Sequence, residues 1–61
     1  MTKYRWIKIK DVTGYEYEFE DAELKDTFTD VIVFFIAPIG TVKKVFPKRN
    51  IISFECVLEE A

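Results

Sequence analysis

From Tyr15 to Glu20 the chain reads Tyr-Glu-Tyr-Glu-Phe-Glu, three aromatic rings and three carboxylates in strict alternation. Successive side chains of an extended strand point to opposite faces, so a strand here has one apolar face and one charged face. A helix would scatter the same rings and charges around its axis. The hexapeptide is expected to be a half-buried strand of an antiparallel sheet, with its rings inward and Glu16, Glu18 and Glu20 in water.

The rest of the chain agrees with that reading. Ten residues are aromatic and eighteen more are Val, Ile or Thr, against two leucines. Such side chains fit a pleated, half-buried surface and are modest helix formers. Residues 3–10 read as a first strand, with Tyr4, Trp6, Lys8 and Lys10 on one face. Asp11-Val12-Thr13-Gly14 reads as a turn in which Gly14 supplies a positive φ. Residues 21–30 read as an edge strand or an irregular connection, with a short helix capped by Asp21 as the alternative. Val31–Ile36 is apolar on both faces, as a strand covered on both sides would be. Ala37-Pro38-Ile39-Gly40 interrupts it. Residues 41–46 form the next strand, 47–50 a tight turn, and 51–58 a last strand with Ile52, Phe54, Cys56 and Leu58 on one face.

Sixty-one residues make a single domain, 1–61. Five or six short antiparallel strands in that length imply a meander curled into a small SH3-like barrel, which hides its edges. So short a chain buries a modest share of its surface and needs a staple, a partner copy or a dense core. One cysteine forms no intrachain disulfide, and without histidine no zinc set is expected. The aromatic core or a homodimer is left to supply the stability.

Val45-Phe46-Pro47-Lys48-Arg49-Asn50-Ile51-Ile52 resembles the last hairpin of SH3-type barrels. There a strand ends in an aromatic and a proline, a 3₁₀ turn carries an asparagine, and an apolar strand follows. The segment is also similar to the end of short uncharacterised β proteins of Firmicutes and their phages. The chain has neither an Ala-Leu-Tyr-Asp-Tyr run nor a tryptophan pair, the marks of SH3 peptide sites. The resemblance therefore implies a fold and a bacterial or phage accessory protein, not recognition of proline-rich peptides.

Catalysis is the least expected class. Cys56 alternates with Phe54 and Leu58, which places it in the core, where a thiol is inert. A barrel filled by its own side chains leaves little room for a small-molecule substrate. No cofactor or metal is expected, since the acidic residues follow no calcium-loop spacing. No apolar run is long enough for a membrane helix. The first residues lack the apolar run of a secretory leader, and a free thiol suits the cytoplasm.

Charge is unevenly spread. Residues 1–10 carry +4, residues 11–30 carry −7 and residues 31–61 carry +1, for a net −2. The simplest consequence is that basic and acidic strands lie side by side. Two functional expectations follow. In the first, the domain binds a partner protein or itself. Glu16, Glu18 and Glu20, roughly 6.6–6.8 Å apart on one strand face, would present a phosphate-like row to a basic partner. Val31, Val33 and Phe35 would supply an apolar patch for self-association. Against it stands an ordinary solvated sheet face. In the second, Tyr4, Trp6, Lys8, Lys10, Lys43 and Lys44 bind single-stranded nucleic acid by stacking and charge. Against it stand the acidic balance of the chain and a Trp6 that simply covers the open end of the barrel while the lysines solvate its edge.

Overall fold

Asp11 and Gly14 start the sheet. Gly14 has φ 90° and donates its N–H to the Asp11 carbonyl at 2.9 Å. The Asp11 carboxylate accepts the N–H groups of Thr13 and Tyr15 at 2.9 and 3.2 Å. The turn they form joins β1 (Thr2–Asp11) to β2 (Glu16–Asp26). β3 (Asp30–Ala37), β4 (Gly40–Pro47), a 3₁₀ turn (Lys48–Asn50) and β5 (Ile51–Leu58) follow. These elements come from a computed structural model that describes residues 2–59.

The five strands form one antiparallel sheet in the order β4-β3-β2-β1-β5. β1 to β4 is a meander, and β5 returns to the free side of β1. The sheet bends along β2, whose residues 16–24 pair with β1 and whose residues 23–26 pair with β3. Among the described residues no ladder joins β4 to β5, so the sheet is open rather than closed on itself. Among the described residues no helix is long and apolar enough to cross a membrane.

The inner face of the bend holds the core. Ile7, Ile9, Ala22 and Val33 are fully buried, and Val31 and Phe46 nearly so. Tyr4, Tyr17, Phe19, Leu24, Phe35 and Ile51 pack around them. Phe46 meets Tyr17 edge-on at 5.0 Å between centroids, and Phe19 lies 5.1 Å from Phe35. Lys44, also on the inner face, caps the open side with its ammonium 5.0 Å from the Tyr17 ring. That arrangement keeps its charge wet and its stem on apolar surface.

Residues 15–20 are extended up to β2, with Tyr17 and Phe19 inward and the three glutamates exposed, as their alternation requires. Tyr15 departs from it. It precedes the strand, is 61% exposed, and leans on Tyr17 with ring centroids 4.6 Å apart and planes tilted by 56°.

Residues 21–30 differ from the expectation more instructively. Residues 21–26 continue β2, which is an interior strand with neighbours on both sides rather than an edge. The inward set is Tyr17, Phe19, Ala22 and Leu24, so the alternation skips one residue. Asp21 is that residue, with φ 51°. β1 skips in step, since its inward set is Ile9, Ile7 and Tyr4. The β1–β2 register is unbroken on both sides, with Tyr4 opposite Ala22 and Trp6 opposite Glu20. Arg5 and Asp21 therefore occupy the one position between them. β5 runs past without skipping, which produces the register shift between Tyr4 and Trp6 against Leu58 and Val57. An extra residue in each of two paired strands bends both, as β-bulges do.

Candidate interaction surfaces

The outer face of the sheet carries columns of alternating charge. Glu16, Glu18 and Glu20 line β2, and Lys10, Lys8 and Trp6 stand opposite them on β1. On the far side of β1, Ser53, Glu55 and Val57 stand opposite the same three residues. Lys8 Nζ lies 3.5 Å from Glu16 and 3.7 Å from Glu18. Glu16 foremost, then Glu18 and Glu55, hold the Lys8 ammonium above its ordinary pKa. The acidic row is thus half neutralised within the molecule. Glu20 faces Trp6 instead of a base and forms no ion pair among the described residues.

At that end of the row the extra residues open a concavity of about 330 Å³ lined by Arg5, Trp6, Glu20, Asp21 and Val57. Trp6 and Val57 form its apolar side, and two carboxylates and one guanidinium surround them. A second, smaller hollow of about 110 Å³ lies on the other side of Asp21, against Lys3, Glu23, Phe34 and Ile36. Neither Arg5 nor Asp21 stands out in the sequence. An aspartate's tolerance of left-handed geometry is the only local hint.

The apolar patch expected from β3 is corrected. Val31 and Val33 are buried in the core and present no surface, whereas Phe35 packs against the core half-buried and lines the smaller hollow beside Asp21. The outward members of β3 are Ile32, Phe34 and Ile36, of which Ile36 is the most exposed.

The six residues expected to hold nucleic acid are not brought together. Tyr4 packs inward, where burial and its neighbour Cys56 raise the pKa of its hydroxyl. Trp6, Lys8 and Lys10 lie on the outer face of β1, and Lys8 is engaged by carboxylates. Lys43 and Lys44 sit on β4, at the opposite border of the sheet, on different faces from one another.

Cys56 is also corrected: it is exposed, not buried. It does stand opposite Ile7, on the core-facing side. β5 borders the sheet, however, and among the described residues nothing folds over its inner face. Phe54 is left 39% exposed and Leu58 57% exposed.

The two borders differ in character. β4 carries Lys43, Lys44 and Pro47, which discourage strand addition. β5 is Ile-Ile-Ser-Phe-Glu-Cys-Val-Leu, with one charge and no proline. Comparison with known protein families, with curated proteins and with solved structures finds no match to this chain.

Proposed function

We propose that this chain is a protein-interaction module whose outer face receives a basic segment of a partner protein at the Trp6 concavity. The observation that carries the reading is Glu20. It ends an acidic row whose other members share Lys8, and it stands beside an indole and a valine in a hollow of about 330 Å³. A lysine or arginine of a partner would lay its stem on Trp6 and Val57 and bring its charge to Glu20 and Asp21. Arg5, on the same rim, would repel a second base and so favour an isolated basic residue flanked by apolar ones. The scaffold we assign to the module is an opened SH3-type barrel. The Phe46-Pro47 end of β4, the 3₁₀ turn ending at Asn50 and the return of β5 beside β1 support that assignment.

Trp6 is the single tryptophan, so its emission reports directly on the site. Titration with short peptides bearing one arginine among apolar residues should shift that emission. Glu20→Lys with Asp21→Lys should abolish the shift while leaving the far-UV spectrum intact. No shift with any basic peptide at low ionic strength overturns the reading. So does a salt-sensitive shift with single-stranded oligonucleotides alone.

A further inference from the structure

The unguarded border meets the Trp6 hollow at Val57, and its occupant can be argued from register and charge. Residue 59 donates its N–H to the Lys3 carbonyl of β1 at 3.4 Å. Backbone groups alternate in direction along a strand, so Val57, Glu55 and Ser53 also aim at β1. Leu58, Cys56 and Phe54 then aim their N–H and C=O groups at open solvent, as a template for one more strand. The side chains of the same three residues form the uncovered part of the inner face.

A second copy of β5 can satisfy both needs. Antiparallel pairing about a two-fold axis places residues of like face opposite one another, so the axis must pass through a residue rather than between two. An axis at Glu55 sets two carboxylates directly opposite. An axis at Val57 sets Glu55 opposite Glu59. An axis at Phe54 draws Ile52 into the ladder, where β5 already shifts register against Lys10 and Asp11. The axis at Cys56 has none of these faults. It sets Phe54 opposite Leu58 on the inner face, and Glu55 opposite Val57 and Ser53 opposite Glu59 on the outer face.

Charge agrees at both ends of that pairing. Glu59 is already 3.7 Å from Lys3 of its own chain. Across the axis it would stand opposite Ser53, whose other neighbour is Lys10, a base with no ion pair among the described residues. Each Glu59 would thus lie between its own Lys3 and, beyond a small serine, the other copy's Lys10.

We infer that β5 pairs with β5 of a second copy about a two-fold axis at Cys56, joining two sheets into one of ten strands. The pairing covers Phe54 and Leu58 and uses no residue of the β4 border.

Sedimentation and a short bis-maleimide cross-linker test this together. The protein should form dimers at micromolar concentration and be captured through Cys56 as a covalent pair, whereas Cys56→Ser should still dimerise without capture. Ser53 tests the register. Ser53→Glu places a carboxylate opposite Glu59 of the other copy and should weaken the dimer about tenfold, while Ser53→Lys should tighten it. Within one subunit the same changes act in the opposite sense, because Ser53 stands opposite Lys10. Ser53→Glu should raise subunit stability and Ser53→Lys lower it, so a folding defect cannot imitate the result. A monomer at all concentrations, a dimer that resists capture at Cys56, or equal responses to the two Ser53 variants would overturn the inference. A monomer would overturn this inference and leave the Trp6 reading standing, because the hollow is formed within one chain and only its Val57 rim meets the pairing.

Discussion

Lys48 sets its ammonium 2.7 Å from the carboxylate of Asp26, fastening the 3₁₀ turn before β5 to the far end of β2. Backbone supports the same junction, since the Lys48 N–H donates to the Thr29 carbonyl at 2.9 Å. Both side chains are substantially exposed, so the ion pair contributes little alone. Asp26→Asn should cost under about 1 kcal/mol, and the loss should shrink in high salt. Urea unfolding at two ionic strengths measures both. A larger, salt-independent loss would mean that the carboxylate does more than pair.

The core is small enough that single side chains decide whether it holds. Ile9→Ala should destabilise by about 2–5 kcal/mol, enough to unfold much of so short a domain. Ile39→Ser, at an exposed hairpin tip, should shift the melting temperature little. Circular dichroism melts of the two variants separate a packing residue from an exposed one of the same type.

Asp21 bears the backbone strain of the bend at φ 51°. Asp21→Gly or Asp21→Asn should keep the fold, while Asp21→Val should lose about 1–2 kcal/mol, because a β-branched side chain crowds that conformation. Denaturant midpoints of the three variants give the order. Equal midpoints would show that the extra residue costs nothing.

Asp11 governs the acid side of stability. The Thr13 hydroxyl foremost, with the N–H groups of Thr13 and Tyr15 and the Tyr17 hydroxyl, donates to its carboxylate and lowers its pKa below the ordinary 3.8. The unfolded chain therefore takes up this proton first. The contribution is complete above the ordinary value and disappears as pH falls through the folded one. Asp11→Asn should flatten the stability profile on the acid side of 3.8. Lys8 acts at the other end. Its raised pKa gives a contribution present below 10.5 and lost as pH climbs through the folded value, and Lys8→Met should remove that dependence.

The sequence revealed those features that depend on a strand and its own two faces. Tyr17 and Phe19 turn inward and Glu16 and Glu18 outward because a pleat leaves no other choice, and Gly14 turns because it alone tolerates its φ. That the basic first strand lies beside the acidic second followed from the uneven charge, but not that Lys8 is the base that meets Glu16 and Glu18. What escaped depended on neighbours. A two-sided run such as Val31–Ile36 does not say which side meets the core, and Val31, Val33 and Phe35 took it. Cys56 stands at an inward position on a border strand that no described residue covers, so its alternation with Phe54 and Leu58 misled. The Trp6 hollow exists because Arg5 and Asp21 are extra together, a coincidence of two strands that neither announces alone.

One border of the ribbon is studded with lysine and closed by proline, and the other is bare. Fibre growth needs an adhesive site at each end of every unit, so that new units can attach without limit. A molecule with a single sticky rim exhausts it in one symmetric handshake. On the pairing proposed for β5, Lys43, Lys44 and Pro47 would protect against runaway polymerisation from the opposite side.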